Sequence, residues 1–255
     1  MRDIEGKTAI ITGGAGGIGG AVALTLGREG AKTVVTDIDL EGATRVAEQI
    51  NDDGGQAFAL KVDVTSSAQV RDMVDEAASR FGSADILFNS QGVSHRNLVV
   101  DLTEEDWDQV VTVHLKGTFL TCQAAVKRMI PQRYGRIINM SSEAGLRHSP
   151  EHSPYGAAKA AISNFTRSLA LEVAPYFVTV NAIAPGRTYT PRFARLRRPE
   201  ELEREISTGM LGKPEDVAGL VLFLCSDWGK VITGQTLWRN IFLGMKPEDT
   251  YQFPY

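Results

Sequence analysis

The sequence predicts an α/β protein built on a doubly wound parallel sheet, and three observations carry that prediction. Short apolar runs rich in β-branched residues alternate with longer segments of helical period from the first residues onward. The short runs are almost continuously apolar, as expected of strands covered on both faces rather than one. Six of the 25 glycines fall within residues 13–20, directly after the first such run and at the start of the first helical segment.

In chain order, residues 8–11 form the first predicted strand, a helix follows over about 18–28, and the second strand covers 33–36. A helix over about 41–51 leads to a third strand at 57–62, and a helix over 67–80 to a fourth at 86–88. A long helix over about 104–130 precedes the fifth strand at 136–140; a helix at 154–174 precedes the sixth at 178–183. Right-handed crossovers between successive parallel strands wind such a chain in both directions from its centre. Residues 187–210 break the rhythm with a polar, Arg- and Glu-rich stretch before a helix that begins near Pro214. An insertion of this length at the carboxyl edge of a parallel sheet is expected to form a helical substrate lid, the alternative being a solvated surface helix of Glu/Arg composition. With no long Gly/Ser/Pro linker and no internal repeat, residues 1–255 read as one domain.

Composition narrows the function. Hydrophobic residues make up 43% and charged residues 23%, and 27 basic against 31 acidic residues give a net charge of −4, which lacks the positive footprint of a nucleic-acid binder. The longest apolar run, residues 220–225, is far short of the roughly 18–20 residues that span a bilayer, so no membrane partner is expected. Cys122 and Cys225 lie in apolar helical contexts, which suits a reducing compartment. Together with an N-terminus unlike a signal peptide, this predicts a cytoplasmic protein.

The glycine run Thr12-Gly13-Gly14-Ala15-Gly16-Gly17-Ile18-Gly19 gives backbone N–H groups close access to a pyrophosphate at a helix N-terminus. Asp37, 18 residues beyond Gly19, ends the second strand, where a carboxylate accepts hydrogen bonds from ribose hydroxyls and repels a 2′-phosphate. No basic residue stands at Ala15, Gly16 or Ile38, so NAD(H) is expected over NADP(H). Asp63, followed by Val64, is expected at the adenine edge. Tyr155 and Lys159 stand at i and i+4, neighbours on one helix face. A phenol is too weak a base near neutrality unless a nearby cation favours phenolate, and an ammonium one turn away supplies that. Ser142, at the end of the fifth strand, offers a hydroxyl to hold the substrate oxygen while Tyr155 moves the proton.

With these motifs in this order, the chain resembles the short-chain dehydrogenase/reductase family over roughly residues 5–238. Asn89-Ser90-Gln91-Gly92, the segment 181–186 ending in Pro185-Gly186, and Thr233-Gly234-Gln235 match as well. The resemblance implies a three-layer Rossmann fold with seven parallel strands, commonly assembled as a homotetramer. It implies that Tyr155 is the acid/base, that Lys159 holds the nicotinamide ribose, and that Ser142 orients the substrate. Asn89, Ser90, Gly92, Pro185 and Gly186 fall at cofactor positions, and Thr188 and Thr190 where family members contact the nicotinamide carboxamide and phosphate. Three departures stand out. Gln91 replaces a small residue and is expected to narrow the pocket or bond the substrate. His114 stands at the fourth catalytic position, usually Asn, and is expected to serve a proton relay or simply to pack in its helix. The tail, about 239–255, departs from the family's pattern and is expected to pack differently.

For the substrate, His95, Arg147, His148 and His152 are expected at the pocket rim or in exposed loops. Arg187, Arg192, Arg195, Arg197 and Arg198 run without an intervening acid. They would suit an anionic substrate or pair with the glutamates at 200–205. His148 and His152 have a metal-like spacing, but Ser149-Pro150-Glu151 between them argues against a helix, and no metal is expected. The expected activity is NAD(H)-dependent interconversion of a small-molecule secondary alcohol and ketone. Its alternatives are an NADPH-dependent 3-oxoacyl-carrier reductase and a non-catalytic NAD-binding scaffold.

Overall fold

The strands line up as the apolar runs demand. The structure, a computed structural model, describes residues 2–147, 150–195, 198–207 and 211–239, without the side chains of Arg2, Arg192 and Arg239. Seven strands form one sheet: β1 (Thr8–Thr12), β2 (Lys32–Asp37), β3 (Gln56–Lys61), β4 (Ile86–Asn89), β5 (Gly135–Met140), β6 (Val178–Pro185) and β7 (Thr236–Arg239). Their order is β3-β2-β1-β4-β5-β6-β7 and every pairing is parallel. The direction of winding reverses between β1 and β4, which opens a crevice at their carboxyl ends.

The connecting helices are α1 (Gly17–Arg28), α2 (Leu40–Asp52), α3 (Ser67–Phe81), α4 (Glu104–Val111), α5 (Gly117–Gln132), α6 (Ser153–Val173), α7 (Pro191–Arg195), α8 (Pro199–Ser207) and α9 (Pro214–Cys225). Each strand feeds both faces because successive side chains alternate. Ile11 and Val35 join Val22 and Leu26 of α1 and Val221 of α9 in one buried layer. Ile10 and Val34 join Met73 of α3, Met129 of α5 and Leu169 of α6 in the other. Local signals set the helix starts: Asp39, Ser66 and Thr103 each accept a backbone N–H of the first turn of their helix.

The long helix expected over 104–130 runs instead as α4 and α5 with a π-helical turn, Thr112–Lys116, between them. One wide turn shifts the phase of every later side chain, and such turns recur at functional sites. Here it carries His114 into the interior, where the residue is only 3% exposed. The insertion at 187–210 contains α7 and α8, and the tail from 240 onward lies outside the described residues. Among the described residues no helix is long and apolar enough to cross a membrane.

Candidate functional site

A groove of about 1490 Å³ runs along the carboxyl edge of the sheet, across the crevice between β1 and β4. Its floor at one end is the β1–α1 loop. Gly13 has φ +64, and a Cβ there would lie 2.7 Å from the Gln91 nitrogen and the Ser90 carbonyl carbon. Only glycine lets the loop rest so closely on the chain after β4. The result is a backbone-lined cradle opening α1, whose N-terminus carries the partial positive charge that suits a pyrophosphate.

Asp37, Asp63, Val64, Ser90, Gly92, Gly17 and Ile18 line the same groove. The Asp37 carboxylate accepts from the Ala15 N–H at 3.1 Å and the Asp39 N–H at 3.0 Å, which fixes it at the end of β2. Asp63 accepts from both the N–H and the hydroxyl of Thr65. Pro185, Gly186, Thr188 and Thr190 close the opposite wall. Thr188 bridges to Gly212, and Thr190 accepts from the Phe193 N–H while standing beside Gly17. Arg45 also reaches the groove but is ion-paired with Glu41.

Three expected cofactor contacts lie behind the groove instead. Thr12, buried below the loop, donates its hydroxyl toward the Phe88 carbonyl, Asn89 and Gln91. Asn89 faces inward, donating to Asn139 at 2.9 Å and to the Cys122 sulfur, while Asn139 donates to Thr166. Gly19 sits so close to the Gly13 carbonyl that an added Cβ would be 2.0 Å from its oxygen. These residues build the cradle's support rather than its surface. Cys122 is part of this polar ladder, and burial pushes its thiol up to about 12.

At the other end of the groove, α6 presents Tyr155 and Lys159 beside Ser142. Lys159 is 4% exposed, its ammonium donating to the Met140 carbonyl at 2.6 Å and standing 5.5 Å from the centre of the Tyr155 ring. The Ser141 hydroxyl bonds the Lys159 carbonyl at 2.9 Å and the Ser163 hydroxyl at 2.8 Å, clamping the end of β5 to α6. Ser142 follows, its hydroxyl accepting from the Ala144 N–H at 3.2 Å. A short turn, Glu143–Gly145, then packs on the first turns of α6. Sequence pointed to neither Ser141 nor Ser163, because buried serines beside apolar residues leave no pattern.

His114 packs edge-on against Tyr155, ring centres 5.1 Å apart, and its Nε2 lies 2.7 Å from the Val93 carbonyl oxygen. Gln91 lines the groove, but both ends of its amide are engaged, accepting from Thr12 and donating to Thr118. It therefore braces the cradle, contrary to the expected substrate bond.

The rim divides the remaining expectations. His95 turns away from the groove toward α4, facing Asp106 at 3.3 Å and bonded to Gln109. Arg96, which the sequence did not single out, lines the groove in its place. His152 and Arg147 line the groove too. Arg187 lines it but is paired with the buried Glu205 at 2.7 Å, and Arg198 is paired with Glu201. Arg195 reaches the groove from α7. His148, Arg197 and the Arg192 side chain lie outside the described residues.

Comparison with known proteins adds four findings. A family model described as enoyl-(acyl carrier protein) reductase matches residues 13–240. A 3-oxoacyl-[acyl-carrier-protein] reductase of Thermotoga maritima is 37% identical over 236 residues, covering 92% of this chain and 96% of that protein. The (2S)-[(R)-hydroxy(phenyl)methyl]succinyl-CoA dehydrogenase subunit of Thauera aromatica is 37% identical over 248 residues, covering 94% and 99%. Among solved structures, a short-chain type dehydrogenase/reductase from Mycobacterium marinum superposes with a TM-score of 0.87 at 32% identity, covering 94% and 96%.

Proposed function

The chain belongs to the short-chain dehydrogenase/reductase family, oxidoreductases that bind a nicotinamide cofactor, and from that premise we propose that it interconverts a secondary alcohol and a ketone with NAD(H). The observation that carries the reading is the convergence of Tyr155, Lys159 and Ser142 at one end of a groove whose other end is a glycine cradle closed by Asp37.

The cradle fits a dinucleotide: Gly13 lets the loop rest on the chain after β4, Gly16 leaves open space on the groove side, and Gly17 and Ile18 open the helix N-terminus there. Asp37 would take the adenosine ribose, Asp63 and Val64 the adenine side, and Gly186, Thr188 and Thr190 the nicotinamide half. The nicotinamide supplies the hydride acceptor or donor; the chain supplies position and charge. Ser142 holds the substrate oxygen through its hydroxyl. The Tyr155 phenol oxygen takes the carbinol proton during oxidation and returns it during reduction. Lys159 holds its positive charge one helical turn away, which favours the phenolate form of Tyr155. We assign His114 to the proton path behind this pair, supported by its contact with Tyr155. His114→Asn should then change the pH–rate profile, whereas a packing role alone would change only stability.

The reading treats residues 1–255 as a single cytoplasmic domain acting on a small molecule. Exposed Trp107 and Phe119 on α4 and α5 support assembly into a homo-oligomer, with a tetramer the family expectation. The names of the relatives favour a second reading, a 3-oxoacyl-carrier reductase using NADPH. Asp37 weighs against its cofactor, and Arg45, the basic residue lining the groove on α2, is engaged with Glu41. A screen of secondary alcohols, hydroxy acids and hydroxyacyl thioesters with NAD⁺ and NADP⁺ tests the proposal. It expects turnover favouring NAD⁺; turnover of a thioester with NADP⁺ alone would replace it with the second reading.

A further inference from the structure

The arginines of the groove differ in how their charge is spent. Arg45 is ion-paired with Glu41 and Arg187 with Glu205. Arg147 and Arg195 are exposed, and among the described residues no hydrogen bond or ion pair fixes either guanidinium. Arg96 is different. Its Nε–H donates to His152 Nε2 at 2.8 Å, and no carboxylate among the described residues lies within ion-pair distance of it, although Asp108 and Glu143 also line the groove.

We propose that Arg96, aimed by His152, is a subsite for a carboxylate carried on the substrate a few bonds from its carbinol carbon. The proposal rests on the alcohol/ketone reading above and names the substrate class within it. An N–H can donate to Nε2 only if that nitrogen keeps its lone pair, so His152 is neutral here with its proton on Nδ1. A neutral acceptor orients the guanidinium without cancelling its charge. The Nη1 and Nη2 edge is then left for a planar anion, the geometry a carboxylate matches with two parallel bonds.

The backbone beneath is built to hold this arrangement. The Asn97 N–H donates to the Glu151 carbonyl at 3.2 Å, tying the loop after β4 to the loop before α6. Glu151 adopts φ +64, a left-handed conformation uncommon outside glycine that persists where its surroundings enforce it. The clasp brings the two loops together beside the acid/base. The His152 ring centre is 5.7 Å from that of Tyr155, so Arg96 stands one imidazole beyond the phenol. A carboxylate on Arg96 thus leaves the carbinol of the same small molecule within reach of Tyr155 and Ser142. The phosphate of an acyl carrier is the other source of negative charge. It sits many bonds from the reacting carbon and fits this spacing poorly.

The test is calorimetric titration of the protein at saturating NADH, where no turnover occurs. The ligands are 3-hydroxybutyrate, 4-hydroxypentanoate and 5-hydroxyhexanoate, each against its uncharged primary amide, and phosphopantetheine. At least one acid should bind roughly 10- to 100-fold more tightly than its amide, the range of a charge-assisted hydrogen bond. Arg96→Met should abolish that preference while leaving amide affinity within about threefold, and Arg96→Lys and His152→Gln should each retain part of it. Equal binding of acids and amides by the native protein would overturn the proposal. So would an Arg96→Met variant that loses acids and amides alike, or one that loses phosphopantetheine while keeping the acids. Hydride transfer, measured separately with NAD⁺, keeps the two ideas apart. Acid binding through Arg96 with no turnover of any alcohol overturns the reaction and not the subsite; equal turnover of acid and amide does the reverse.

Discussion

Alanine at position 92 tests whether the His114 ring and the acid/base are mechanically joined. A Cβ on Gly92 would stand 2.4 Å from His114 Cε1 and 3.2 Å from Nε2. Carbon atoms rest about 3.5–4.0 Å apart, so the imidazole must retreat by roughly 1 Å. It has little room to do so, being 3% exposed, bonded to Val93 at 2.7 Å and backed by the Tyr155 ring at 5.1 Å. Overpacking of this kind costs about 1–3 kcal/mol, which lowers the melting temperature of a chain this size by roughly 2–10 °C. A phenol displaced by about 1 Å costs on the order of 100-fold in kcat. Scanning calorimetry and steady-state rates on Gly92→Ala, His114→Asn and the double variant measure both effects. Asparagine is shorter than histidine, so the double variant should recover most of the stability that Gly92→Ala loses. The two substitutions should therefore couple by about 1–2 kcal/mol. A Gly92→Ala protein with native melting temperature, or strictly additive losses, would refute the coupling.

Two further outcomes follow from the groove and the core. Asp37→Ser removes the carboxylate that repels a 2′-phosphate, and the ratio of kcat/KM for NADPH over NADH should rise by roughly 10- to 100-fold; an unchanged ratio would place cofactor choice elsewhere. Burial pushes the Cys122 and Cys225 thiols from 9.0 up to about 12, so between those values the folded state keeps protons that the unfolded chain releases. Stability should therefore be unaffected by these groups below about pH 9 and fall above it, by about 1.4 kcal/mol per pH unit for each thiol. Urea titrations of the native protein and of Cys122→Ser and Cys225→Ala, repeated from neutral to alkaline pH, check the slope. A native protein with the same alkaline slope as the variants would contradict it.

Most of the sheet was legible because parallel strands buried on both faces must be apolar at every position, and helices between them must carry a face for each. Strand bounds shifted by one or two residues, as at β6, which extends to Pro185. The π-helical turn at Thr112–Lys116 left no trace in the pattern, since its residues are ordinary helix formers and the phase shift arises from packing. In the site, residues whose chemistry is rare in the pattern were readable: the glycine run, the Tyr155–Lys159 spacing and Asp37. Residues distinguished only by the direction they face were not. His95 and Arg96 are adjacent and both polar, yet one turns to α4 and the other to the groove. Thr12 and Asn89 belong to the cradle's motif but are spent on holding it together. For Arg187 the sequence left open a substrate anion or the glutamates at 200–205, and in space it is paired with Glu205, 18 residues further on.

The most direct measurement is label transfer from the carbinol carbon. A substrate found in the NAD⁺ screen is deuterated at that carbon, and the nicotinamide product is weighed by mass spectrometry for the native protein and for Tyr155→Phe. Deuterium should appear in the reduced nicotinamide with the native protein. The rate should fall by about 100-fold or more when the phenol oxygen is removed, with cofactor binding retained. Label transfer at an undiminished rate in Tyr155→Phe, or none in a native protein that binds NADH, would contradict the account.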